Sequence, residues 1–220
     1  MKINVVKNVL EANDALAVEN REKLNAAGVW CVNITSAPGS GKTTLLEKTV
    51  PALAAEGLRS AVVVGDLQTT RDADRLGGLA AEVTQINTEG GCHLSASQVA
   101  AALAGLPLKT LDYLFIENVG NMVCPAGFDL GEHARVAMLS TPEGDDKVAK
   151  YNTLFQPADA IVLNKIDLTD ALGYDKTRVY DDLKKINTAA PVFELSCRTG
   201  EGLDAWLAWL RKKQIRGMRP

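Results

Sequence analysis

The sequence predicts an α/β fold in three layers, with a mostly parallel central sheet flanked by helices and preceded by an N-terminal helix. Three observations carry this reading. Short apolar runs rich in β-branched residues recur along the chain, longer helical patterns separate them, and Gly, Pro or charged residues mark the joins. The runs are VWCVNIT (29–35), SAVVVGD (60–66), LDYLFIEN (111–118), ARVAMLST (134–141), DAIVLNK (159–165) and PVFELS (191–196). Apolar runs of this kind suit strands buried on both faces, as a parallel sheet covered by helices requires.

The segment leading to Gly28 reads as a helix with a thin apolar stripe, Val6, Leu10, Ala17 and Leu24, interrupted by Asn13 and Asn20. Its expected place is the domain surface; a partner-docking arm is the alternative. Further helices are expected at 42–56 (ending near Gly57), 94–104, 175–187 and 201–213, the last with Leu203, Trp206, Leu207 and Leu210 at helical spacing. Residues 1–28 are therefore expected to form a helical arm and 29–220 a single domain. No internal repeat or low-complexity tract interrupts it.

Lys and Arg number 24 against 27 Asp and Glu, so a net charge of −3 argues against a nucleic-acid surface. An anionic ligand must then be met by local positive charge. No run reaches the ~18 apolar residues of a membrane span, and the expected location is cytoplasmic. Four scattered cysteines, Cys31, Cys92, Cys124 and Cys197, favour metal binding, catalysis or burial over disulfides in a reducing compartment.

SAPGSGKT (36–43) follows the first expected strand and opens the first expected helix. Backbone N–H groups and the helix dipole converge on an anion in that position. Ser36 stands where the phosphate-loop consensus has glycine, while Gly41, Lys42 and Thr43 match it. Gly39, Ser40 and Gly41 allow the tight path, Lys42 neutralises phosphate oxygens, Thr43 offers its hydroxyl to Mg²⁺, and Thr44 continues the loop. The fold is accordingly expected to be that of a P-loop NTPase.

NKID supplies Asn164, Lys165 and Asp167 at the end of a later strand. The Asp carboxylate can accept two hydrogen bonds from guanine, which adenine cannot donate. Ser196 and Cys197, in SCRTGEG, are expected to support the base. GTP or GDP is thus the expected nucleotide. Glu117 in ENVGN replaces the aspartate usual before Gly120, and GDLQTTRDADR places Asp66 at a strand end with Asp72 and Asp74 after it. Lys42, Asp66 and Glu117 form the expected catalytic set, with Thr43, Asp66 and Glu117 toward Mg²⁺ and Asp72 toward the nucleotide. The residues alone leave open which of the four carboxylates binds the ion. No arginine finger or general base stands out, so slow intrinsic hydrolysis is expected.

GGCHLSAS (90–97) and NMVCPAG (121–127) contribute Cys92, His93 and Cys124. Thiolate and imidazole suit Zn²⁺ or, in planar geometry, Ni²⁺. Three donors leave a position for water or for a second subunit. Spacing alone leaves buried structural thiols as an equal reading.

The blocks ANDALAVENR, SAPGSGKTTLLE, GDLQTTRDADR, EGGCHL, IENVGNMVCP and EGDDKVAKY, together with NKID, resemble the HypB family over nearly the whole chain. That family comprises GTPases that assist nickel insertion into nickel-iron hydrogenases. The resemblance implies a GTP-linked homodimer and a nickel or zinc site of Cys92, His93 and Cys124 at its interface. It also implies the maturation factor HypA and the hydrogenase large subunit as partners. The chain departs from the pattern in several places. It has no cysteine before Cys31 and only two histidines, His93 and His133, so the cysteine motif or histidine tract found in many members is missing from it. Ser95 stands where Asp is frequent, and Asn152 where Pro is. Lys147 and Lys150 have two readings, as phosphate contacts or as solvated charges. A urease-type nickel GTPase is the nearest alternative, although a Cys-Pro-His motif would be expected of it. A metal carrier with a vestigial nucleotide site is opposed by Lys42, Thr43, Asn164 and Asp167, and a metal-free signalling GTPase is the remaining reading.

Overall fold

The computed structural model describes residues 4–66 and 70–213, with side chains from residue 10 onward. Seven strands form one sheet: β1 (Trp30–Ser36), β2 (Ser60–Asp66), β3 (Glu82–Asn87), β4 (Tyr113–Glu117), β5 (Ala134–Ser140), β6 (Ala160–Asn164) and β7 (Val192–Glu194). Their order is β3-β2-β4-β1-β5-β6-β7, and every pairing is parallel. The six apolar runs all become strands. The seventh strand, β3, was not expected: EVTQIN is largely polar and lies at the sheet edge, where no apolar run is needed.

Alternate side chains of each inner strand enter opposite layers. Trp30, Val32 and Ile34 of β1 join Leu45 and Leu46 of α2 (Lys42–Ala55), Leu76 of α3 (Arg71–Leu76) and Trp206 and Leu210 of α9 (Leu203–Lys212). On the other face Cys31, Val63 and Leu114 pack with Leu24 of α1 (Asn4–Ala27) and Val99 and Leu103 of α4 (Ala96–Gly105). Toward β6 that face is closed by Val148 of α5 (Lys147–Lys150), Phe155 of α6 (Asn152–Phe155) and Val179 of α8 (Lys176–Ile186); α7 (Thr169–Leu172) is one short turn. Helices on both faces give the three-layer fold expected. Asn152 opens α6, a first-turn position at which proline is also tolerated. Among the described residues no helix is long and apolar enough to cross a membrane.

Asn13 and Asn20 do not interrupt the packing of α1; both are buried and attach it. Asn13 Oδ1 accepts the Ala96 N–H and its amide donates to the Asp129 carbonyl, each at 2.8 Å. The Asn20 amide donates to the carbonyls of Ala96 and Leu130 at 2.8 and 3.1 Å. Ala17 and Leu24 supply the apolar part of the interface, while Leu10 is at the exposed margin and the Val6 side chain lies outside the described residues. The chain at Gly131 (φ +91°) passes so near α1 that a Cβ would meet the Ala17 carbonyl at 2.6 Å. Only glycine fits there.

A polar cluster secures the same helix near the start of β5. One terminal nitrogen of Arg21 donates to both carboxylate oxygens of Asp129, at 2.7 and 2.8 Å. His133 Nδ1 accepts the Cys31 N–H at 2.9 Å, so the proton of the neutral ring sits on Nε2 and is donated to Asn25 Oδ1, also at 2.9 Å. Burial, with Arg21 nearby, pushes His133 down to about 4.

Candidate nucleotide site and metal centre

The parallel register brings the carboxyl ends of β1, β2, β4 and β6 to one edge, where ligands gather in open α/β sheets. β1 ends at Ser36, and the chain turns into α2 through Gly39 (φ +76°) and Gly41 (φ +103°). A side chain at Gly41 is doubly opposed, since a Cβ would also lie 2.5 Å from the Asn164 amide nitrogen. Ser36 is fully buried, and its oxygen accepts the Lys42 ammonium at 3.2 Å while its hydroxyl donates to the Ala37 carbonyl. The departure from glycine therefore provides a polar rest for the lysine. Burial pulls Lys42 below the usual lysine range, and Glu117 opposes that shift.

Because Ile34 of β1 is in register with Glu117 of β4, that carboxylate lies beside the start of α2. Thr43 donates its hydroxyl to Glu117 Oε1 at 2.7 Å; Oε2 is buried without a hydrogen-bond partner among the described residues. Burial raises Glu117 to about 7, against the pull of Lys42 and Thr43. An orphaned carboxylate oxygen next to a threonine hydroxyl fits a hard, oxygen-seeking cation such as Mg²⁺. Asp66 and Asp72 line the same cleft of about 390 Å³. Asp74 instead accepts the Thr70 hydroxyl at 2.9 Å.

A second cleft of about 450 Å³ adjoins it and is lined by Asn164, Lys165, Asp167, Ser196 and Cys197. Asn164 ties this cleft to the phosphate loop: its amide donates to the Ser40 carbonyl at 2.9 Å, and its oxygen accepts the Cys197 N–H at 3.2 Å. Lys165 adopts a left-handed backbone (φ +60°), which turns its ammonium to the Gly39 carbonyl at 2.6 Å. Asp167 Oδ1 accepts the Ser196 hydroxyl at 2.6 Å, which fixes the carboxylate's orientation. Burial pushes the Cys197 thiol up to about 11, so it remains a neutral wall.

Cys92 and His93 lie between β3 and α4, and Cys124 opens a 3-10 turn (Cys124–Gly127) after β4. One donor atom from each lies within 4.8 Å of the others, and all three residues are partly exposed. Cys92 Sγ is 3.6 Å from His93 Nδ1. Contact with Cys124, then burial, raises the Cys92 thiol, and burial lowers His93, whose ring stacks on Phe128 with centroids 3.9 Å apart. A neutral imidazole held against an aromatic ring is ready to coordinate. The Ser95 hydroxyl caps α4 by accepting the Gln98 N–H.

Two supporting asparagines were not anticipated. Asn118, buried after Glu117, accepts the N–H groups of Leu94 and Val119 at 3.3 and 2.9 Å and donates to Asn33 at 3.2 Å. Asn121 Oδ1 accepts the Val123 N–H at 2.8 Å and shapes the turn that presents Cys124. Lys147 and Lys150 both pair with Asp146, whose carboxyl they hold down to about 2.

Residues 30–194 match the family model described as the CobW/HypB/UreG nucleotide-binding domain. The chain is 44% identical over 205 residues to the hydrogenase/urease maturation factor HypB of Helicobacter hepaticus, covering 91% of this chain and 84% of that one. It is also 44% identical over 210 residues to the probable hydrogenase maturation factor HypB of Methanocaldococcus jannaschii, with 96% and 95% covered. The crystal structure of HypB from Helicobacter pylori in complex with nickel is similar, with a TM-score of 0.88 at 38% identity over 95% of this chain and 98% of that one. HypB from Archaeoglobus fulgidus gives 0.86 at 40% identity over 92% and 98%.

Proposed function

The chain belongs to the HypB group of the CobW/HypB/UreG family, and from that premise we propose a GTP-hydrolysing metallochaperone for nickel insertion during hydrogenase maturation. The observation that carries the mechanism is the short path of one segment: Glu117 lies beside Thr43, and Cys124 lies beside Cys92 and His93. Lys42 and the backbone N–H groups at the start of α2 hold the phosphates, and Asp167 reads guanine in the cleft that Asn164, Lys165, Ser196 and Cys197 shape. Thr43, Asp66 and Glu117 hold Mg²⁺, which neutralises phosphate charge when bound. Loss of the terminal phosphate releases the 117–124 segment, and Cys124 moves relative to Cys92 and His93. Nickel affinity thereby follows nucleotide state, a segmental switch of general type.

The metal donors are three and partly exposed, and Val123 beside Cys124 is 60% exposed. An open apolar side chain next to an incomplete donor set supports completion by a second copy, so the working form is a homodimer. It acts in the cytoplasm with HypA and the hydrogenase large subunit, and hydrolysis is slow. Light scattering with metal quantification, in GDP or a non-hydrolysable GTP analogue with and without Ni²⁺, tests this. Dimer and bound nickel are expected to rise together with the analogue. A monomer with equal nickel content in every state removes the switch.

A further inference from the structure

The phosphate-side cleft is lined by three cations, Lys42, Lys165 and Arg75. Lys42 belongs to the phosphate loop and Lys165 to NKID; Arg75, on α3, ends the GDLQTTRDADR block and has no role assigned so far. Its guanidinium lies along the first turns of α2: Nε and one terminal nitrogen donate to Glu47 at 2.9 and 2.7 Å, and the same terminal nitrogen donates to Thr44 Oγ1 at 3.0 Å. Among the described residues the other terminal nitrogen makes only a long contact to Asp72, 3.4 Å away. Thr44 follows Thr43 directly, so the guanidinium rests at the rim of the helix end that meets the phosphates.

Charge gives this position meaning. The cleft holds Asp66, Asp72 and Glu117, and buried Lys42 is the cation at its base. A nucleoside triphosphate with one divalent ion adds further negative charge. The Arg75 side chain is 43% exposed and its Glu47 partner 27%, so the pair contributes little to stability. A planar fork with five donors, in contrast, matches phosphate oxygens.

We propose that Arg75 is a phosphate ligand supplied in cis, moving from Glu47 onto the polyphosphate of the bound nucleotide during turnover, with Glu47 as the carboxylate that parks it. The inference rests on reading the cleft as a GTP site. Arg75 adds a further positive charge to those of Lys42 and Lys165, as charge spreads over the transferring phosphoryl group.

Single-turnover GTP hydrolysis and fluorescent-GDP affinity, measured with Mg²⁺ on the full chain, test this with three variants. Arg75→Ala should slow turnover about 100-fold while GDP affinity stays within about threefold. Arg75→Lys should restore part of the rate. Glu47→Gln, which frees the guanidinium, should turn over about twofold faster, the release expected from an exposed ion pair. If Arg75 only joins α3 to α2, Arg75→Ala and Glu47→Gln break the same pair and slow alike, which overturns the proposal. Wild-type turnover in Arg75→Ala also overturns it. An unmodified chain that binds no guanine nucleotide instead overturns the nucleotide-site reading itself, and this inference with it.

Discussion

Gly120 packs directly on Pro38: a methyl placed on it would lie 3.0 Å from both Pro38 Cα and Cγ and 3.1 Å from its nitrogen. Pro38 belongs to the phosphate loop, and Gly120 lies between Glu117 and Cys124. Two of the three opposing atoms belong to the backbone or its ring junction and cannot rotate aside. Gly120→Ala must therefore displace one segment or the other, an overpacking cost of about 1–3 kcal/mol. The expected outcome is a fall of roughly tenfold in both nucleotide and nickel affinity, read by calorimetric titration on folded protein. Nickel affinity unchanged while nucleotide affinity falls would show that the contact does not join the two sites.

Glu117→Gln keeps the shape of the side chain and removes its charge. Turnover with Mg²⁺ should fall about 100-fold, whereas the melting temperature of the nucleotide-free protein should hold or rise because a desolvated carboxylate is gone. Mg²⁺ titration of the rate separates this from a folding defect. A normal Mg²⁺ dependence in the variant would exclude Glu117 as a ligand.

Asn20→Ala leaves the carbonyls of Ala96 and Leu130 without their buried donor. Each unsatisfied group costs ~1–3 kcal/mol, so urea denaturation should show a loss of about 2–6 kcal/mol for the two. An isosteric Asn20→Asp change should be at least as damaging, since a carboxylate cannot donate to a carbonyl. A loss near zero would mean that water replaces the amide.

His133 predicts an acid limit to stability. Its folded value, about 4, lies below the ordinary histidine range, so the unfolded chain takes up a proton first. The stabilising contribution is complete above about pH 6.5 and is lost as pH falls toward 4. The geometry agrees, because protonated Nδ1 would face the Cys31 N–H with a second donor. Denaturation at pH 7.5, 6 and 5 should show a steeper decline in the wild type than in His133→Gln, by roughly 3 kcal/mol or less at the acid end. Parallel pH curves would place the acid sensitivity in other groups.

The sequence made most of the sheet legible because buried parallel strands need uninterrupted apolar runs, and six of the seven strands have them. β3 escaped notice for the opposite reason: with one partner and partial exposure it carries Thr84 and Gln85 in its middle. The phosphate loop and NKID stand out in the sequence because each is a contiguous stretch, and the structure brings the two into contact. Asn13, Asn20, Asn118 and Arg75 were not. Each has at least one partner far away in the chain, and an asparagine or arginine looks the same whether it meets solvent or a distant polar group. The proximity of Cys92, His93 and Cys124 depends on how β2 and β4 pair, which neither cysteine motif encodes.

The position of β1 also orders assembly in time. Its neighbours are β4 and β5, whereas the next strand in the chain, β2, joins from beyond β4. A growing chain that has emerged only through the phosphate loop can make no native pairing for β1 and cannot present Glu117 to Thr43. The contact of Thr43 with Glu117 therefore forms late in synthesis, after the β4 segment has been made, and Cys92, His93 and Cys124 come together only once Cys124 has followed it. A ribosome-bound fragment stopping before residue 113 carries the phosphate loop and two of the three donors yet has neither site. The topology thus withholds both candidate sites from the unfinished chain.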